Sequence, residues 1–101
     1  MKTLGHLLKE NRENKNLLLR QVAAAIDVDT AMISKFEKGE RKPTKEQILK
    51  MAKALELDEK VLLTHYLSEK VMDELKEHDL AEEALKMAGA KINFLRKKKK
   101  K

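Results

Sequence analysis

Apolar residues recur along the chain at intervals of three and four positions, the spacing that places side chains on one face of an α-helix. The first such segment carries Leu4, Leu7 and Leu8, has Thr3 as its N-cap, and is predicted to end near Asn14. The same spacing predicts five more helices, which begin at or just after Leu18, Asp29, Thr44, Asp58 and Asp79. The pattern therefore predicts an all-α protein.

Short polar segments mark the ends of these helices. The second helix is predicted over residues 18–26, followed by a three-residue turn at 27–29. Gly39 is expected to end the third helix, because glycine readily adopts a positive φ, and Pro43 prevents any continuation. Residues 44–47 form a capping box, so the fourth helix is predicted to begin there.

The last third of the chain is predicted to form a helical hairpin over residues 68–95, after a first domain at residues 1–67. The first arm is expected to end near Lys76, and the second to begin after Asp79. The hairpin and the residue just before it carry one apolar face, made of Leu67, Val71, Leu75, Leu80, Ala84, Ile92 and Leu95. Residues 96–101 are all basic, and like-charge repulsion is expected to keep this tail disordered.

Composition excludes several kinds of chemistry. The chain has no cysteine, so disulfides, thiolate nucleophiles and cysteine-based zinc sites are excluded, and its 3 histidines are scattered. The longest apolar run, Val22 to Ile26, is far shorter than the roughly 20 residues of a membrane span, and the N-terminus lacks a secretory apolar core. We therefore expect a cytoplasmic protein with no membrane contact, cofactor, metal or small-molecule ligand.

Charge divides the chain into three parts. Residues 1–57 carry a net charge of +4, residues 58–95 carry −4, and the last six residues are all basic, which gives the total of +6. Such asymmetry is typical of a protein with a surface for a polyanion beside an element of another kind, although ordinary solvated helix surfaces are the simpler alternative.

Residues 19–39 have the layout of two short helices that cross over a three-residue turn. The crossing needs a small side chain where the helices approach, and Ala23 supplies it. The first residue of the turn must tolerate a positive φ, and Asp27 belongs to the few residue types that do so without large strain. The inner faces of the two helices are expected to be Val22, Ile26, Val28, Ile33 and Phe36.

Over Leu4 to about Leu63 the chain resembles the Cro/repressor-type helix-turn-helix of the XRE family of DNA-binding regulators. The segments that match the family's helices are residues 7–12, 21–23, 33–39 and 48–63, with Pro43 also in the family's position. The resemblance implies a five-helix domain that binds double-stranded DNA, followed here by the hairpin. Compact bacterial and phage regulators fit this resemblance, among them the controller proteins of restriction-modification systems. The resemblance does not distinguish between these kinds of regulator.

The resemblance makes the third helix the recognition helix, whose outer face enters the major groove. The candidate base contacts on that face are Thr30, Ala31, Ser34 and Lys35. Where the family usually has Ser or Thr followed by Gln, this chain has Leu18 and Leu19, so anchoring there is expected to fall to Arg20 or Gln21. The candidate phosphate contacts are Arg20, Gln21, Lys38, Arg41 and Lys42.

Two further features accompany the motif. Arg12 and Glu37 occupy positions that in the family commonly form a structural ion pair between the first helix and the end of the third. Residues 30–53 contain seven basic and three acidic residues, so the cationic part of the sequence coincides with the motif. DNA is therefore the expected partner.

Other functions fit the sequence less well. An enzyme is not expected, because no nucleophile or acid–base pair stands in a recognisable arrangement. One DNA-binding domain contacts a single half-site, so we expect a homodimer on a pseudo-palindromic operator, with the apolar face of the hairpin as the dimer interface. That face could instead fold back on its own domain, or bind another protein if the chain is an antitoxin-like or adaptor module. RNA binding is disfavoured by the scarcity of aromatic residues.

Overall fold

The structure, a computed structural model, describes residues 2–99. Six helices follow one another, and the described residues contain no strand, so the predicted all-α class is confirmed. No helix within residues 2–99 combines the length and the apolar character that crossing a membrane requires. The helices are α1 (Leu4–Asn14), α2 (Leu19–Ala25), α3 (Thr30–Lys38), α4 (Lys45–Ala54), α5 (Glu59–Leu75) and α6 (Ala81–Lys99).

The chain divides into two compact units, one ending at Lys70 and the other beginning at Val71. The division lies within α5 and close to the boundary that the sequence predicts after residue 67. No turn marks the division, because α5 runs from Glu59 to Leu75.

The core of the first unit forms where α3 packs against α1 and α2, and α2 packs against α4. Burial of each large aliphatic side chain in such a core stabilises the fold by about 1.5–3 kcal/mol. The predicted inner face of the two crossing helices is part of this core, since Val22, Ile26, Ile33 and Phe36 are buried and Val28 packs against them partly buried. The remaining buried apolar residues are Leu4, Leu8, Ala23, Ile48, Met51, Ala52, Leu55 and Leu62.

Four helix starts are capped by the side chains that the sequence predicts. The Asp29 carboxylate accepts from the Met32 amide at 2.8 Å, and Thr44 and Gln47 cap each other's backbone amides reciprocally. The Thr3 hydroxyl accepts from the His6 amide and caps α1, and the Asp58 carboxylate accepts from the Lys60 amide and caps α5. These caps fix where α1, α3, α4 and α5 begin.

Each of the helices α1 to α4 is followed within two residues by a residue with a left-handed backbone, at Asn16, Asp27, Gly39 and Glu56. At Asp27, with φ 60°, the next amide, that of Val28, reaches back to the Ala23 carbonyl oxygen at 3.0 Å. The predicted positive φ at Asp27 and at Gly39 is confirmed. After three of the four residues an apolar side chain packs partly buried against the core, at Leu17, Val28 and Leu57.

The second unit contains the end of α5 and all of α6. No residue from Ala81 to Lys99 is buried. On the apolar face predicted for dimerisation, Leu75 is half-buried, and the other members are exposed: Leu67, Val71, Leu80, Ala84, Ile92 and Leu95.

The prediction of a disordered tail from residue 96 is wrong for residues 96–99, because α6 continues through Lys99. Lysine and arginine have high helix propensity, and positive charges in a last turn interact favourably with the partial negative charge at the helix C-terminus. These two effects outweigh the repulsion among neighbouring charges. The remainder of the predicted tail, Lys100 and Lys101, lies outside the described residues.

Candidate DNA-binding surface

Helix α3 presents one buried and one exposed face. Ile33 and Phe36 are buried in the core, whereas Thr30, Ala31 and Lys35 are exposed and Ser34 is half-buried. These four are the predicted base contacts, and the structure brings them together on the outer face of a single helix. A solvent-exposed helix face of this kind can enter the major groove of duplex DNA.

The loop after α3 is fixed by the end of that helix. Gly39 adopts φ 76°, and the Lys35 carbonyl oxygen then accepts from the Glu40 amide at 2.9 Å and from the Arg41 amide at 3.3 Å. Arg41 is exposed, as is Lys38 in the last turn of the helix. These backbone hydrogen bonds fix the position of Arg41 in the loop directly after the helix that carries Lys38 and the recognition face.

Arg12 and Glu37 form the predicted ion pair. Arg12 donates from Nε to Glu37 Oε2 at 2.7 Å and from Nη2 to Oε1 at 3.1 Å, and the exposed fractions of the two side chains are 12% and 7%. The third guanidinium nitrogen, Nη1, donates to the Leu17 carbonyl oxygen at 2.8 Å. The hydrogen bonds that Arg12 donates to Glu37 raise the pKa of Arg12 above its ordinary value. One guanidinium thus joins α1, the turn before α2 and the last turn of α3.

Lys42, a predicted phosphate contact, is already paired within the protein. Its Nζ lies 3.0 Å from Glu69 Oε1, and the other oxygen of the same carboxylate accepts from the Leu4 amide at 2.6 Å. Glu69 thereby links the start of α1, the loop before α4 and α5. The sequence pattern indicates no such role for Glu69, because its partners are 27 and 65 residues away in the chain. Lys42 stays a predicted phosphate contact, with part of its charge balanced by Glu69.

The departure from the family pattern at Leu18 changes how the start of α2 is capped. Leu18, the N-cap residue, has no side-chain acceptor, so the reciprocal half of a capping box is missing. Gln21 supplies the other half, since its Oε1 accepts from the Leu18 amide at 2.7 Å. This bond orients the Gln21 side chain, whose NH2 group can donate to a phosphate. Arg20 beside it is exposed.

A shallow groove of about 290 Å³ borders the recognition face between α1, α2 and α3. It includes Ser34 and Lys38 from α3, and also two residues of α1 that the sequence pattern does not single out, His6 and Lys9. Both lie on the exposed side of α1, opposite the buried Leu4 and Leu8. Their position could have been predicted from helical periodicity, but their proximity to α3 depends on how the two helices pack.

Comparison with known proteins also indicates a helix-turn-helix protein. A helix-turn-helix family model (HTH_3) matches residues 8–62. Among solved structures, the clp gene regulator ClgR from C. glutamicum is similar, with 26% sequence identity and a TM-score of 0.56, over 65% of this chain and 86% of that one. No curated protein matches the chain. The matched residues span α2, the turn and α3 with the helices that support them, and the chain belongs to the XRE-type helix-turn-helix family of DNA-binding regulators.

Proposed function

We propose that the protein is a sequence-specific transcriptional regulator that binds a pseudo-palindromic operator in double-stranded DNA as a homodimer. The observation that carries the proposal is the arrangement of α3, whose exposed polar face has Lys38 and Arg41 beside it. A helix-turn-helix that served only for packing would not need a cationic edge at this place.

In this proposal the outer face of α3 contacts base edges in the major groove. Lys35 donates to O6 or N7 of a guanine, and Thr30 donates to a base or a phosphate near the start of the helix. Ala31 contacts the methyl group of a thymine, and Ser34 lies one turn further on the same face. These four side chains carry the sequence information.

The phosphate contacts surround this face. Arg20 and the NH2 group of Gln21 contact one side, and Lys38 and Arg41 contact the other. Lys42 contributes less, because Glu69 already balances part of its charge. The groove beside α3 adds His6 and Lys9 as further candidates, because they line the same groove as Ser34 and Lys38.

The homodimer is supported by the second unit. Residues 1–67 would serve as the DNA-binding domain and residues 68–95 as the dimerisation element. The apolar side chains of α6 have no buried position in the single chain, and residues 58–95 are acidic overall, which disfavours contact with DNA. We propose a cytoplasmic regulator without catalytic activity, since its family functions by binding DNA.

One observation favours a second candidate, a helical module in which the second unit binds a different protein. Leu80, Met87 and Phe94 of the second unit have exposed fractions of 66%, 60% and 65%, more than a monomer needs to expose. A complex with another protein would cover such a surface.

Selection of the full chain against a random duplex DNA library tests the proposal. At about 0.15 M salt non-specific phosphate binding is weak, so enrichment reports contacts to bases. We expect an enriched motif with two inverted half-sites. An enriched single half-site would retain the DNA-binding regulator and reject the dimer on DNA, and no enrichment would favour the protein-binding module.

A further inference from the structure

Helix α6 carries an exposed seam with the spacing of a coiled coil. Its positions alternate in steps of four and three and are Ala81, Leu85, Ala88, Ile92 and Leu95. The exposed fractions of Leu85, Ile92 and Leu95 are 53%, 51% and 60%. Helices in proteins gain most of their stability from packing an apolar face, and this seam of α6 has no such packing in the single chain.

Charge is distributed unevenly along α6. The first turn carries Glu82 and Glu83, and the last turn carries four basic residues, Arg96 to Lys99. Glu82 and Arg96 are two heptads apart, so they lie on the same flank of the seam. Glu83 and Lys97 are their immediate neighbours and point away from the seam, as the rotation of about 100° per residue requires.

These charges favour a second copy of α6, in antiparallel orientation, as the partner. A second α6 in antiparallel orientation would place Glu82 of each copy near Arg96 of the other, giving two equivalent ion pairs across a twofold axis. A parallel pair would bring the four basic residues of one last turn against those of the other, and the acidic first turns likewise. Like charges at such distances repel, so a parallel pair is disfavoured.

We propose that the homodimer forms through antiparallel pairing of two α6 helices along the seam from Ala81 to Leu95. Ala88 lies near the midpoint, where its small side chain lets the two helices approach closely. Opposite helix dipoles add a favourable interaction at each end. This inference rests on the proposed homodimer and specifies its interface.

Sedimentation equilibrium of the full chain at about 0.1 M salt tests the pairing with charge reversals. We expect Glu82→Lys and Arg96→Glu each to weaken dimerisation about tenfold, because each change makes two attractive contacts repulsive. The double variant should return the dissociation constant to within about threefold of the wild type. An equimolar mixture of the two single variants should form a heterodimer tighter than either homodimer.

Matched controls come from the neighbouring residues. Glu83→Lys and Lys97→Glu make the same charge changes in the same turns, and they should alter the dissociation constant less than about twofold. Circular dichroism and thermal unfolding of every variant should show that the first unit remains folded.

Three results would each overturn the inference. The wild-type chain could stay monomeric at all concentrations, or the reversals at Glu82 and Arg96 could raise the dissociation constant no more than their controls do. The double variant could also dimerise as weakly as the single variants. Binding of each variant to one half-site is measured in parallel. Retained half-site binding with a failed α6 interface would leave the DNA-binding proposal standing, and loss of DNA binding in the wild type would reject that proposal separately.

Discussion

Gly5, in the first turn of α1, packs directly against the carbonyl oxygen of Glu37 in the last turn of α3. A Cβ atom at this position would overlap that oxygen and would lie 2.7 Å from the carbonyl oxygen of Phe36. Both neighbours are backbone atoms, which cannot rotate away. The close approach of α1 to α3 therefore requires glycine here, and it brings Arg12 within reach of Glu37.

Gly5→Ala is expected to lower the free energy of unfolding by about 2 kcal/mol, because overpacking against backbone outweighs the roughly 1 kcal/mol that alanine normally gains over glycine in a helix. Urea unfolding measures the change. Gly89→Ala is the matched control, since nothing lies within 4 Å of a Cβ added there, and it should increase helicity without loss of stability. Equal stability of Gly5→Ala and wild type would contradict the close packing of α1 on α3.

The ion pair between Arg12 and Glu37 gives a second prediction. Glu37→Gln should destabilise the protein by about 3 kcal/mol, because it leaves a largely buried guanidinium without its carboxylate. Replacing both residues with apolar ones, Arg12→Met with Glu37→Leu, should recover most of that loss, because no unpaired charge then remains. If the loss in free energy of unfolding in the double variant equalled the sum of the losses in the two single variants, the pair would not act as a unit.

Much of the fold follows from local rules in the sequence. The caps at Thr3, Asp29 and Thr44 and the turn residues Asp27 and Gly39 each act on backbone groups within a few positions, so the sequence pattern is sufficient to predict them. The helical extension through Lys99 is local too, but two local effects oppose each other there and their balance is not visible in the pattern.

The contacts that could not be predicted join distant parts of the chain. The links from Glu69 to Lys42 and Leu4, and the contact of Gly5 with the end of α3, depend on how helices cross, and periodicity does not determine this. Of the candidate site, the outer face of α3 could be predicted from its buried face. The ion pair of Lys42 with Glu69 could not be predicted, because Glu69 lies on a distant helix.

The backbone at Asp27 provides a third prediction. Asp27→Gly should stabilise the protein by about 0.5–1 kcal/mol, because a left-handed backbone is unfavourable for residues with a side chain and free of this penalty for glycine. The converse change at the end of α3, Gly39→Ala, should cost about 1–2 kcal/mol for the same reason. Thermal unfolding measures both, and a change of the same sign in the two variants would contradict the role given to backbone conformation.

The two neighbouring cations Arg41 and Lys42 should respond differently to removal. Arg41→Ala is expected to weaken binding to all DNA sequences alike and to reduce the slope of log affinity against log salt by about 1. Lys42→Ala should have a smaller effect on DNA binding and should also lower stability, since Glu69 loses a partner while remaining largely buried. Salt titrations of both variants, beside unfolding curves, separate the two roles. Equal salt slopes for the two variants would show that Lys42 leaves Glu69 to bind phosphate.

The central claim, that the outer face of α3 contacts bases, is tested most directly by repeating the random-library selection with Lys35→Ala. We predict the same inverted motif as for the wild type, with relaxed preference at one base pair of each half-site and a loss of about 1–3 kcal/mol on the wild-type operator. A motif unchanged at every position, or an affinity loss equal on specific and random DNA, would contradict the claim.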